Sequence, residues 1–332
     1  MGGTIFSVVE NGVVRVANNV QELVDRVPRI NEIANLDFKV VANVDSTNVG
    51  IDEWHLLFKV IQENYDAYDG FVVAHGTNTM SYTATALSFA LGSDLTKPVV
   101  FTGSQLPLTS YGDDAHFNLE HSVRAAVEAV RLGVTEVMVC FHEVVLRGCR
   151  TVKISESDFH AFDSPALDPV ATIDANGVHF ASHARKQGGN SIYVKNRKVN
   201  FRASVLCVDL VPGLEPSLLL DVIKKGSVRG VVIKSHGAGS VPDIGDFSLL
   251  PFIAEATTMG IPVIVTSKFL GGNSFKKTND EPAVRALEAG AIASRDMTDV
   301  AAQVKLMYLL GSGADYSQIA ERFAQSFIGE VS

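Results

Sequence analysis

The chain has little of what marks a membrane-spanning, exported or nucleic-acid-binding protein. Among its 332 residues no stretch approaches the roughly 18 consecutive apolar residues that a membrane span needs. No basic segment followed by an apolar one opens it as an export signal would, so a cytoplasmic location is expected. Cysteine is scarce. Cys140, Cys149 and Cys207 are odd in number and lack CxxC spacing, so neither a disulfide framework nor a zinc site is signalled. Cys140 and Cys207 lie in apolar runs and are expected in the core. Basic excess is also missing: the net charge is −9, and the basic clusters are only the pairs Lys224–Lys225 and Lys276–Lys277. That excludes the electrostatic footprint of a nucleic-acid partner. No repeat or low-complexity tract appears.

What is present is enough apolar sequence, 46%, to bury two ordinary cores in a chain of 332 residues. Short runs rich in Val and Ile recur at 38–44, 70–74, 98–102, 136–141, 204–211, 230–234 and 262–266. They are apolar on both faces and separated by helix-length segments, which predicts buried parallel strands in an α/β architecture. Helices are predicted over 80–91, with Met80, Ala84, Leu87 and Leu91 on one face, and over 119–132. The polar, Gly-containing stretch 188–203 reads as a linker between a domain at 1–187 and a smaller one at 204–332. Each is expected to hold a mainly parallel sheet flanked by helices. In such sheets ligands bind beyond the carboxyl ends of the strands, so the small polar residues there are the candidates for a site.

Four segments carry the candidates. Gly2-Gly3-Thr4 lets a backbone approach a ligand closely and exposes a hydroxyl, or is a plain turn. His75-Gly76-Thr77-Asn78-Thr79 follows a buried strand and opens a helix whose first N–H groups can hold an oxyanion. Equally, Asn78 or Thr79 is an N-cap. Asp45-Ser46-Thr47 also follows an apolar run, and its hydroxyls bind a carboxylate or cap the helix that contains Trp54. Lys153, in Arg147-Gly148-Cys149-Arg150-Thr151-Val152-Lys153, is a partly buried base that activates a hydroxyl, or a surface charge.

Taken together and in order, GGTI, DST, HGTNTM, TGSQLP at 102–107, RGCRTVK and DMT at 296–298 resemble the bacterial-type L-asparaginase family, in particular its cytosolic branch. The likeness spans nearly the whole chain. It implies an amidohydrolase that converts L-asparagine to L-aspartate and ammonia through a threonine nucleophile and an acyl-enzyme. Thr4 would be the nucleophile, with Thr77 and Lys153 as the second catalytic pair. Ser46 and Thr47 would hold the substrate's α-carboxylate, and backbone N–H groups near Gly3 and Thr77 the oxyanion. The resemblance implies no metal or organic cofactor, and a homodimer or homotetramer as the working assembly.

The chain departs from that pattern in three places. It begins at Met1 directly on the first signature, without the strand that precedes it in the family, so Thr4 is expected on an unanchored terminus. Asn78 stands where the family carries an aspartate that binds the α-ammonium; losing a buried charge pair costs about 2–5 kcal/mol. Residues 7–21 contain no tyrosine, and Val13 stands where the family's proton-accepting tyrosine is expected; losing a general base costs about 10²–10⁴-fold. These departures keep two alternatives open: a catalytically impaired homologue that binds or assembles, and an amidase for an N-blocked substrate, since Asn78 offers neutral hydrogen bonds. A third relative of this fold, the amidase component of a tRNA-dependent amidotransferase, is expected to need an additional N-terminal domain for which this chain has no room.

Overall fold

The computed structural model describes the backbone of residues 7–10 and 13–16, together with residues 27–186, 188–275 and 280–332. The chain divides into two compact units, Met1–Lys198 and Val199–Ser332.

In the first unit, β1 (Ser7–Glu10) and β2 (Val13–Val16) form an antiparallel hairpin in which Val13 lies opposite Glu10. The main sheet contains β3 (Phe71–Ala74), β4 (Val99–Thr102), β5 (Val137–Phe141) and β6 (Val144–Arg147). After a small ladder of β7 (Val152–Lys153) with β8 (Phe162–Asp163), β9 (Ala171–Asp174) and β10 (Gly177–Phe180) complete it. The order is β10-β9-β6-β5-β4-β3, parallel across β3, β4 and β5 and antiparallel beyond. Every residue of β4 and β5 is buried, as expected for the continuous apolar runs read as parallel strands. Val100, Met138 and Cys140 pack on Ala125, Ala126 and Ala129 of the helix Ala115–Leu132. The three antiparallel strands escaped the sequence reading, which looked for runs apolar on both faces; β9 alternates buried Ala171 and Ile173 with exposed neighbours.

The helix Met80–Leu91 has the predicted bounds but not the predicted single buried face: every residue except Tyr82 is buried. It packs against β5, the turn Gly148–Arg150 and the helix Ile51–Glu63. Two of its buried hydroxyls are bonded, Ser88 donating to the Ala84 carbonyl at 2.7 Å and Thr85 to that of Gly148 at 3.4 Å, while Ser81 Oγ is buried without a partner among the described residues.

Two expectations are corrected. Residues 38–44 are not a strand; they belong to no ladder among the described residues, and Phe38 and Val40 are exposed. An apolar run becomes a strand only where a neighbour takes up its N–H and C=O groups. The stretch 188–203 is not wholly a linker. It contains the helix Ser191–Asn196, capped by the Asn190 side chain and held by Gln62, whose Nε2 donates to the Val194 and Arg197 carbonyls at 2.7 and 3.0 Å.

The second unit is a parallel sheet of β11 (Val205–Asp209), β12 (Gly230–Ser235), β13 (Val263–Ser267) and β14 (Ile292–Ala293), in that order. Alternation along the strands divides the core. Val231, Ile233, Val263 and Val265 pack with Ile223, Phe252 and Ile253 on one face, and Val232 and Ile264 with Leu306, Ile319 and Phe323 on the other. Cys207, expected in the core, is exposed, because among the described residues β11 is an edge strand paired only with β12. Beneath the second face, Lys305 and Glu330 form a fully buried ion pair at 2.7 Å. The Lys305 amine also donates to the Phe323 and Gln325 carbonyls at the end of the helix Tyr316–Phe323, where a cation is favoured.

Among the described residues no helix is long and apolar enough to cross a membrane.

Candidate active site

The site forms where β3 and β4 end. The His75 N–H continues the parallel ladder by donating to the Thr102 carbonyl at 2.8 Å. Next to it, Gly103 passes so close that a Cβ there would lie 2.4 Å from the His75 carbonyl oxygen and 2.7 Å from Met80 Cε. Only glycine fits between the two strand ends.

His75 is fully buried, with Nδ1 2.7 Å from the Gly76 carbonyl oxygen, which fixes the tautomer that carries its proton on Nδ1. Burial pushes its pKa down from 6.5 to about 4. The unfolded chain therefore binds a proton between those values that the folded chain refuses. Stability is complete above pH 6.5 and falls as the pH drops toward 4, by about 3 kcal/mol in all. Urea midpoints measured across this range are expected to slope less steeply for His75→Asn than for the wild type.

Beyond His75, the backbone places Thr77 at 6% exposure, facing Lys153. The Lys153 amine donates to Thr77 Oγ1 at 2.8 Å and to Asn78 Oδ1 at 2.9 Å. The other end of the Asn78 amide donates from Nδ2 to Thr47 Oγ1 at 3.2 Å. Burial lowers the pKa of Lys153, with the field of Glu156 acting in the opposite direction. Lys153 is therefore not a plain surface charge. It closes a chain of four polar side chains running from Lys153 through Asn78 to Thr47, with Thr77 as a branch.

Ser46 and Thr47 sit in a single turn of 3-10 helix, Ser46–Asn48, capped by Asp45, which accepts from the Thr47 N–H at 2.8 Å. The segment is thus a capped turn of its own and does not cap the helix that contains Trp54. The following helix Ile51–Glu63 is capped through Glu53, which accepts from the Gly50 N–H at 2.8 Å. At the start of the helix Met80–Leu91, Thr79 takes the N-cap position but makes no side-chain cap. Its hydroxyl donates instead to the Ser46 carbonyl at 2.6 Å, tying the two signature turns together. Thr83 and Trp54 extend this tie: Trp54 Nε1 donates to Thr83 Oγ1 at 3.2 Å, and Thr83 Oγ1 to the Thr79 carbonyl at 3.3 Å.

The structure thus brings Ser46, Thr47, Thr77, Asn78 and Lys153 together. Thr4 lies outside the described residues, and so does the side chain of Val13. Sequence reasoning missed the residues that hold the loop 102–107. Asp114 accepts from the N–H groups of Gln105 and Leu106 at 3.0 Å, and Asn118 donates to the Gly103 carbonyl at 2.9 Å. Gln105 Nε2 in turn donates to the Asp158 carbonyl at 3.0 Å, joining this loop to the segment after Lys153. The available signal was a carboxylate just before the amphipathic helix with an asparagine one turn on. Among the described residues no group of His, Cys, Asp and Glu is arranged to hold a metal ion.

Comparison with known proteins identifies the family. Residues 1–186 match the asparaginase N-terminal domain family, and residues 204–323 the glutaminase/asparaginase C-terminal domain family. The chain is 30% identical over 334 residues to L-asparaginase 1 of Escherichia coli strain K12, covering 99% of this chain and 96% of that protein. It is 33% identical over 341 residues to a glutamyl-tRNA(Gln) amidotransferase subunit of Methanothermobacter thermautotrophicus, covering 99% of this chain and 75% of that one. The solved structure of the thermostable L-asparaginase from Thermococcus kodakarensis matches with a TM-score of 0.84 at 31% identity, over 100% of this chain and 97% of that chain. With the turns at 45–48 and 75–79 tied together and both family domains matched in sequence, the chain belongs to the asparaginase family.

Proposed function

We propose that the protein is an amidohydrolase that converts L-asparagine to L-aspartate and ammonia. The observation that carries this reading is the Lys153 amine held at 2.8 Å from Thr77 Oγ1, beside Thr47 and Asn78, in a chain of this family. Thr4 is the nucleophile. Its hydroxyl oxygen adds to the side-chain amide carbon as its O–H proton leaves, the C–N bond breaks, and the nitrogen takes up that proton and leaves as ammonia. Thr77 and Lys153 serve the second half: water adds to the acyl ester, its proton passes to Thr77, and the Thr4 oxygen is released and reprotonated. Ser46 and Thr47 hold the α-carboxylate. No metal or organic cofactor takes part in these steps. The catalytic domain is assigned to 1–187 and the smaller domain to 204–332, and the protein works in the cytoplasm as a homodimer or homotetramer, which light scattering of the purified protein tests.

One observation favours a second reading, an amidase for substrates with a blocked amine. Both ends of the Asn78 amide are already engaged, by Lys153 and Thr47, and the group carries no charge to pair with an ammonium. Ammonia release from L-asparagine and from N-acetyl-L-asparagine separates the two. The first reading predicts a higher kcat/KM for the free amino acid, and the reverse order supports the second.

A further inference from the structure

Lys153 stands on a small piece of structure. β7 and β8 pair through Val152 opposite Asp163 and Lys153 opposite Phe162, in a two-stranded ladder separate from the main sheet. A ladder of that size is marginal on its own. Its base is packed by Phe162, whose ring centroid lies 4.9 Å from that of Phe141 on β5. The loop 154–161 that closes it is largely exposed and braces itself. The Ser155 hydroxyl accepts from the Ser157 and Asp158 N–H groups, and the Asp158 carboxylate from that of His160. From outside the loop Gln105 reaches in: its Nε2 donates to the Asp158 carbonyl at 3.0 Å and to the Ser155 carbonyl at 3.3 Å. We propose that Gln105 is a positioning residue that ties the β7–β8 loop to the end of β4 and so holds the Lys153 amine against Thr77.

This rests on the proposed roles of Thr77 and Lys153 and deepens them. Thr77 follows β3 of the main sheet, whereas Lys153 belongs to the separate ladder, so their 2.8 Å contact depends on how the ladder sits against the sheet. Gln105 can set that seat because its own backbone is fixed. Its N–H is taken by Asp114 Oδ2 at 3.0 Å, and the Leu106 N–H by Asp114 Oδ1 at 3.0 Å. Two residues earlier, the Gly103 carbonyl accepts from Asn118 Nδ2 at 2.9 Å. Asn118 Oδ1 accepts in turn from the His142 N–H at 2.9 Å, just past the end of β5. The Gln105 amide therefore stands on the ends of β4 and β5 and on the first turn of the helix Ala115–Leu132, elements rigid enough to hold a site in register. The carbonyl it grips at Ser155 is next but one to Lys153. His160 adds a ring contact with His142, 6.1 Å between centroids, at the far side of the same loop. A catalytic group displaced by about 1 Å loses on the order of 10²-fold in rate, which is the scale of effect that a lost tie at this distance from the chemistry can have.

The test uses the whole protein with Gln105→Glu and Gln105→Met, which keep the length of the side chain and remove its donor. Both are expected to lower kcat for ammonia release from L-asparagine by about 10–10²-fold. KM is expected to hold, because Ser46 and Thr47 lie on a turn of their own. A substrate-free readout accompanies this: the protein is made with lysine carrying ¹³C at Cε, and the Lys153 resonance is assigned by its loss in Lys153→Met. A fixed amine gives two distinct Hε proton shifts on that carbon in the wild type, and both variants are expected to merge them. Distinct shifts that persist in the variants, shifts already merged in the wild type, or an unchanged kcat in an active protein each overturn the proposal. A wild type that releases no ammonia refutes the proposed function instead, and the Hε shifts then decide alone whether Gln105 holds Lys153.

Discussion

Replacing Lys153 with methionine is expected to lower kcat for amide hydrolysis by about 10²–10⁴-fold, the usual cost of removing a general base. KM is expected to change little, because the residues assigned to the substrate carboxylate, Ser46 and Thr47, are held by other partners. Thr47 is fixed through Asp45, and Ser46 through the Thr79 hydroxyl. Arginine at 153 is expected not to restore the rate. It reaches the same acceptors as a donor but stays protonated at every working pH, so it cannot receive the Thr77 proton. Steady-state ammonia release for the three proteins distinguishes a base from a mere hydrogen-bond donor: a donor would be rescued in part by arginine.

The second large effect is on stability. Glu330→Gln removes the carboxylate that faces Lys305 at 2.7 Å with both side chains fully buried. The ammonium remains, surrounded by the Phe323 and Phe327 rings and two backbone carbonyls. Breaking a buried pair on one side costs about 3–5 kcal/mol, because the remaining charge is uncompensated. The glutamine amide can still accept from the Phe327 and Ile328 N–H groups that the carboxylate serves, so the loss isolates the charge rather than the turn. Guanidinium titration is expected to show a lower midpoint for Glu330→Gln at an unchanged slope. The double variant Lys305→Met/Glu330→Gln, which removes both charges, is expected to recover part of the loss. A double variant as weak as the sum of its single changes would show that the two charges do not interact.

How much of this was legible in the sequence depended on whether a feature was local. The parallel strands at 98–102 and 136–141 could be read because burial on both faces leaves an uninterrupted apolar run. The helix Met80–Leu91 could be bounded because Gly92, at φ +70°, stops it in a conformation that favours glycine. Its burial on all sides could not be read, since threonine and serine look solvent-facing until their hydroxyls are seen bonded to carbonyls one turn back or on the neighbouring turn. The run at 38–44 misled for the opposite reason. Its residues suit a strand, but a strand also needs a partner, which no local pattern supplies. At the site, the signature turns were legible as polar residues placed after the apolar runs at 38–44 and 70–74, of which only the second is a strand. The ties that bring them together, Thr79 to Ser46, Asn118 to Gly103 and Gln105 to the Asp158 carbonyl, join residues 33, 15 and 53 positions apart and exist only once the chain has folded.

The most direct test of the central claim is to incubate the purified protein with millimolar L-asparagine and measure ammonia and aspartate together. The account predicts equimolar release of both, at a rate that Lys153→Met reduces by at least about 10²-fold. Absence of both products from L-asparagine and from N-acetyl-L-asparagine, with the protein folded by circular dichroism, would contradict it.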